Sequence, residues 1–378
     1  MLTAFVGTYA PNGGGIHAFA LADDGPPPLA DTVLVPAVDS PTWLTIDATG
    51  TRLYAVHELH RAAGSGHGQI STFEIGAGGT LRRLGSVGSG GRRPVHLSLH
   101  PGGRHAFVAH YDSGDISVLA VEADGRLGAL LDRRANAEAF APGTAEPGPA
   151  RAALAPRGSF AASGHDASHA HMALPDPSGD FVLATDLGLD AVIVWRFDAV
   201  RGRLERPHVL HTSAGGGPRH LVFHPQDAAQ VYLLNEEAST LAWLQLDRDR
   251  GELLPRGEIS TLPPGFAGTS YASDLVCAAD GRHLYALNRL HDSIAHVTLD
   301  VGGPARLQDV HWCRGSYPRT LQRVPGGGLV VCNERSDHLA WFDLGADGVP
   351  RFSGRYTGIG GPAAVVFGGQ RPGTPSDA

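Results

Sequence analysis

Pro94-Val95-His96-Leu97-Ser98-Leu99-His100-Pro101-Gly102-Gly103-Arg104-His105-Ala106-Phe107-Val108-Ala109-His110-Tyr111 is the stretch that decides the fold. Two short apolar runs flank a His-Pro-Gly-Gly turn, and the second run ends on polar residues. Apolar runs either side of a tight Pro/Gly turn read as an antiparallel strand pair. The phrase recurs from Pro41 to Glu58, His171 to Asp186, Pro218 to Glu236, Ser273 to Arg289 and Pro318 to Glu334. A repeat of roughly 40–50 residues built from short strands is the signature of a β-propeller. A third strand follows each pair, as in Ile116-Ser117-Val118-Leu119 and Val192-Ile193-Val194-Trp195. A weaker fourth passes through signals such as Gly251-Glu252-Leu253.

Six copies are complete and a seventh is split between the ends of the chain. Pro362-Ala363-Ala364-Val365-Val366-Phe367 reads as a lone first strand. Ala4-Phe5-Val6-Gly7-Thr8-Tyr9 reads as a second strand without its first, and Gly15-Ile16-His17-Ala18-Phe19 follows it. The expectation is therefore all-β: a seven-bladed β-propeller with four antiparallel strands per blade. The C-terminal strand pairs with the N-terminal strands and closes the ring, which removes the exposed edges. One domain over residues 1–368 accounts for the length, with 369–378 as a polar C-terminal tail. The Ala/Gly/Pro/Arg-rich stretch from Leu127 to His169 shows no period and reads as one long loop.

Composition narrows the function. The 51 glycines and 27 prolines are spread between apolar runs, as many tight turns require. The formal charge is −8 and no basic stripe appears, which argues against nucleic acid as a partner. No apolar run approaches the roughly 20 residues that span a bilayer, so no membrane association is expected. Leu2 to Tyr9 read as a blade strand rather than a leader. With only three cysteines, Cys332 inside an apolar strand as a core filler, the expected compartment is the cytoplasm. The outer strands are not apolar enough to demand a partner, so a monomer is expected. Gly88-Ser89-Gly90-Gly91 and Gly215-Gly216-Gly217 lead into strands, not helices, and so are not nucleotide loops. No Gly-x-Ser-x-Gly element lies between a strand and a helix, which disfavours a serine hydrolase.

In a propeller the first strand of each blade lines the channel, and the end of the second lies beside its start. Here those positions pair at a spacing of about 15 residues: Trp43 with Glu58, His96 with His110, His171 with Asp186, Arg219 with Glu236, Asp274 with Arg289, Arg319 with Glu334. Charges of both signs thus converge on one mouth, the default place for a site.

These residues also resemble a family, the seven-bladed propeller lactonases, over essentially the whole chain. That family includes 6-phosphogluconolactonases of one structural type and the fungal carboxy-muconate lactonizing enzymes. Phe5-Val6-Gly7-Thr8-Tyr9, Ser168-His169-Ala170-His171, Gly217-Pro218-Arg219-His220-Leu221 with Asn235-Glu236, and Asn288-Arg289 with His291-Asp292-Ser293-Ile294 carry the likeness. His57 and His110 stand where the family usually has Asn, and the usual Arg-Gln-Glu before the His-Ala-His is replaced by the Ala/Gly-rich stretch. The resemblance implies His171, Arg219, Glu236 and Arg289 as catalytic residues, the same mouth that spacing indicates. It implies hydrolysis of a sugar lactone, with 6-phosphogluconolactone the leading and anionic substrate.

On that reading His171 titrates near neutrality and takes a proton from water, while Glu236 orients it or shares the role. Arg219 and Arg289 face the oxyanion. Arg319, His96, His169, Asp186 and Glu334 are expected to bind substrate. Arg92 and Arg93 are second-tier candidates for holding a phosphate but read rather as a solvated turn before Pro94, and His57, His60 and His67 read as surface histidines. No cofactor and no catalytic metal are expected. Asp186, Asp274, Glu58 and Glu334 offer a hard cation oxygen ligands, but the basic side chains at the same mouth oppose one. The alternatives are a muconate-type lactonizing cycloisomerase, or a non-enzymatic propeller serving as an interaction platform.

Overall fold

The computed structural model describes residues 2–21, 35, 39–59, 68–149, 164–300 and 304–368. Six sheets have four antiparallel strands each: blades 1 to 6 open at Pro41, Pro94, Ala170, Pro218, Tyr271 and Pro318. The seventh blade joins Pro362–Gly368 to Thr3–Thr8, and Thr3–Thr8 to Ile16–Ala20. Val6 lies opposite Val365 and Phe5 opposite Val366, so the C-terminal strand closes the ring as expected. A bridge between Ile16 and Val35 lies on the outer side of this blade. Tail residues 369–378 lie outside the described residues, as do His60 and His67.

Period-two alternation explains the layering. The second strands are apolar on both faces because each is covered by the two neighbouring blades. Leu53, Val108, Leu183, Leu233, Ala286 and Val331 are all fully buried. A separate apolar cluster fills each of the seven gaps between adjacent blades. Between blades 2 and 3, for example, Phe107, Ile116 and Val118 meet Val182, Ile193 and Trp195. The fourth strands face solvent and alternate polar with apolar, which is why they read weakly in sequence.

That weakness accounts for one correction. Leu127–Ala135 is not loop but the fourth strand of blade 2, paired with Asp115–Val121. Its Asp132, Arg133 and Arg134 interrupt the apolar run that would have marked a strand. A single 3-10 turn follows at Asn136–Ala139, and 150–163 fall outside the described residues. All three cysteines are buried, and burial pushes each thiol up to about 12, so they act as core fillers. Among the described residues no helix is long and apolar enough to cross a membrane.

Candidate functional site

One backbone device, repeated, builds the mouth of the channel. In blades 1 to 6 the first strand starts in register with the last residue of the second strand; in blade 5 that pair is Tyr271 with Arg289, and one more pair follows before the slip. Pro41 faces His57, Pro94 faces His110, Ala170 faces Asp186, Pro218 faces Asn235, Ala272 faces Asn288 and Pro318 faces Asn333. The register then slips in every blade. Such a bulge leaves an unpaired residue and re-aims its side chain. The residues released are Thr42, Val95, His171, Arg219, Ser273 with Asp274, and Arg319. Three of the nine predicted site residues, His171, Arg219 and Arg319, are bulge residues.

The paired positions opposite them serve the backbone. His57 bonds Ser71 Oγ at 2.8 Å, His110 bonds Asp115 at 2.9 Å, and Asn288 bonds Thr261 and Ser293. Asp186 is fully buried and accepts from Asn136, Ser168 Oγ and the His169 and Leu189 N–H groups. It therefore holds a turn, with its carboxylate oxygens taken up by protein donors. His110 likewise stays away from the mouth, and His57 is a buried strand end rather than a surface histidine. The side chains that reach the mouth come from the next residue along: Tyr9, Glu58, Tyr111, Glu236, Arg289 and Glu334. The offset of one residue in blades 2 and 3 misled the spacing argument. An aromatic directly after the polar strand end, Tyr9 or Tyr111, was the signal available.

The centre of the mouth is a buried ion cluster. Arg219 Nη1 donates to Glu236 Oε2 at 2.6 Å and to His171 Nε2 at 2.6 Å, and its Nε donates to the Ser273 carbonyl. Arg289 Nη2 reaches Glu236 Oε1 at 2.6 Å, and its guanidinium lies over Tyr317 and Tyr271. Burial alone would raise the Glu236 carboxyl, but the Arg289 and Arg219 guanidiniums outweigh it and hold it at about 2. A second group lies beside the first. Arg319 donates to Glu58 at 2.8 Å, reaches Glu334 at 3.6 Å and covers the Tyr9 ring. Arg93 also pairs with Glu58, at 3.0 Å, and stacks on Tyr111. Arg93 is thus part of the mouth, whereas Arg92 is the exposed turn residue expected.

His171 departs from expectation in one respect. Burial, reinforced by Arg219 and other nearby charges, pushes its imidazole well below the ordinary value, so it does not titrate near neutrality here. A guanidinium can only donate, so Nε2 carries the lone pair and Nδ1 the proton. Directly beneath, His220 packs edge-on against His171 at 5.1 Å and shares its Nδ1 with Asp274 at 2.8 Å. Burial pushes the Asp274 carboxyl up to about 7 despite the Leu321 and Leu275 N–H groups. This pair, missed in sequence, lies in blades 4 and 5. His96 is buried too, packed against Trp43 and His220. The four carboxylates considered for a hard cation do not converge. Glu58 and Glu334 serve Arg319, Asp274 serves His220, and Asp186 serves its turn.

His169 is a loop anchor: it stacks on Tyr111 at 4.1 Å and bonds the Tyr111 carbonyl and Asp166. His165 does similar work. Its Nδ1 lies 3.1 Å from Glu237 and its Nε2 3.0 Å from Asp190, which also accepts the Gly215 and Gly217 N–H groups leading to Arg219. Burial alone would lower this imidazole, but the Asp190 and Glu237 carboxylates outweigh it and raise it to about 9. A folded value above the ordinary 6.5 gives stability that is full below pH 6.5 and lost as pH rises through about 9. The Tm gap between the wild-type chain and His165→Gln should accordingly close between those pH values. A gap that stays constant would contradict the assignment.

Comparisons with known proteins bear on the whole chain. The family model described as lactonase, 7-bladed beta-propeller, matches residues 3–367. A 6-phosphogluconolactonase of Bacillus subtilis is 28% identical over 344 residues, 90% of each chain. One of Xenorhabdus nematophila is 26% identical over 353 residues, 93% of this chain and 92% of the other. The solved structure of a periplasmic gluconolactonase of Pseudomonas aeruginosa superposes with a TM-score of 0.81 at 26% identity, over 98% of this chain and 99% of that one.

Proposed function

Since the chain belongs to the seven-bladed β-propeller lactonase family, we propose that it hydrolyses a sugar lactone, with 6-phosphogluconolactone the substrate it takes best. The observation that carries this reading is the pair of guanidiniums, Arg219 and Arg289, meeting on one carboxylate beside His171. Two cations to one anion leave a positive excess, which draws an anionic substrate and stabilises an oxyanion. Arg319 and Arg93 meet on Glu58, with Glu334 and Asp112 as their further partners, and would hold the phosphate through charge-assisted hydrogen bonds.

In the free protein Arg219 occupies the His171 lone pair. Substrate that draws Arg219 toward the lactone carbonyl releases Nε2. The same anion offsets the charges that depress this imidazole, so His171 becomes a stronger base when substrate is bound. Nε2 then takes a proton from water as the water oxygen adds to the carbonyl carbon. Arg219 and Arg289 bear the oxyanion. Collapse breaks the ring C–O bond, and the leaving alkoxide takes the proton back from His171, giving a hydroxy acid. His220, backed by Asp274, steadies the His171 ring from below.

A pH-stat assay of freshly made 6-phosphogluconolactone, corrected for spontaneous opening, tests the reading. Catalysed opening is expected, faster than for glucono-δ-lactone. The acid limb of kcat/KM should lie below pH 6.5, where free His171 titrates, and that of kcat should lie higher. No catalysed opening of either lactone would reject the proposal. Catalysis of the unphosphorylated lactone alone would reject the phosphate role of Arg319 and Arg93.

A further inference from the structure

We propose that His296, Asp309 and His311 form a binding site for a divalent transition-metal ion of the zinc class, on the outer part of blade 5 and apart from the mouth. His296 is on the third strand, Ser293–Leu299, and the other two are on the fourth, Ala305–Trp312. The register sets His296 opposite Asp309, and His311 two residues further along the same strand. Residues two apart share a face of a strand, so all three project from one side. Their ligand atoms lie within 4.8 Å of one another.

Two further observations point to a ligand. His296 is 2% exposed, and its Nδ1 is buried with no hydrogen-bond partner; His311 Nε2 is in the same state. A buried polar nitrogen left unpartnered is costly, and a cation would satisfy both at once. The His296 ring is also oriented for the task. It stacks on Tyr285 at 5.4 Å and 16°, and its Nε2 lies 3.0 Å from His283 Nδ1. When Nε2–H donates to His283, the lone pair is on Nδ1 and faces the cluster, the outer-shell arrangement that fixes a metal-binding tautomer.

Two imidazoles and one carboxylate suit zinc better than magnesium or calcium, which prefer oxygen alone. Zinc–nitrogen bonds of about 2.0–2.1 Å require the ligand atoms to draw together, and Asp309, on the exposed edge, is free to swing inward. A water would complete four-coordination. The ion would tie the third strand of the blade to the fourth and leave the lactone site untouched.

The test uses the full chain, stripped with a chelator and then titrated with ZnCl2, or with MgCl2 or CaCl2 as hard-cation controls. Zinc is expected to raise Tm by about 3–5 °C, and the controls are not. His311→Gln and Asp309→Asn change half-buried or exposed positions and should fold. Each should lose the Tm rise, and calorimetry should show one zinc fewer per chain, or that zinc bound at least tenfold more weakly. Their lactone hydrolysis should match the wild type, which separates this site from the proposed reaction. An unchanged zinc stoichiometry and affinity in both variants, or no Tm rise in the wild-type chain, would overturn the assignment.

Discussion

Arg289→Ala is expected to lower kcat by about 10²–10³-fold while the propeller stays folded. Arg289 holds Glu236 Oε1 and is itself braced by the Tyr271 and Ala272 carbonyls and the Tyr317 hydroxyl. Its charge is therefore fixed in direction before substrate arrives, the condition under which such a donor acts strongly on a developing oxyanion. Removing it does not orphan Glu236, which keeps Arg219 at 2.6 Å. The thermal midpoint should fall by no more than about 5 °C. His171→Ala should lose activity to a similar degree, since it removes the proposed base, and should stay folded, because Arg219 still has Glu236 and Ser273 as partners. Asp186→Ala should behave in the opposite way, with Tm reduced and the residual folded protein active, since that carboxylate holds a turn. Steady-state kinetics with melting curves on the three variants would check the set. Full activity in both Arg289→Ala and His171→Ala would exclude the assigned centre.

Ending the chain at Gly361 should abolish cooperative folding. The lost strand, Pro362–Gly368, supplies Ala364 to the cluster between blades 7 and 1 and Val365 to the cluster between blades 6 and 7. It also carries the whole ladder with Thr3–Thr8 and accepts the Thr320 hydroxyl. Each fully buried aliphatic side chain is worth about 1.5–3 kcal/mol. Two opened clusters and an unpaired edge together approach the roughly 5–15 kcal/mol by which a domain is stable at all. The exposed edge would also invite association with other chains. A chain ending at Gly368 keeps every described strand and should melt like the full protein. A cooperative, monomeric unfolding transition in the shorter chain would show that closure is dispensable.

The repeat, the blade count and the split seventh blade were legible because they depend on local pattern. Apolar runs of fixed length, Pro/Gly turns and a leftover strand at each end leave few other ways to bury those faces. That His171, Arg219, Glu236 and Arg289 lie at one mouth was legible for a related reason: two positions joined by one hairpin keep their spacing. Hairpin spacing could not tell which of two adjacent residues turns inward. The bulges after Pro94 and Ala170 and the turns after His110 and Asp186 decide that, and they set Tyr111 at the mouth while His110 and Asp186 serve the backbone. Contacts between blades were out of reach altogether. Arg319 meets Glu58 across 261 residues and His220 meets Asp274 across 54, distances over which no local period carries information. The commitment of the His171 lone pair to Arg219 likewise exists only once blades 3 and 4 pack together. The sequence by itself determined the ring and the residues available at its mouth. The tertiary structure decided their pairing and protonation, because both depend on which charges the closed ring buries side by side.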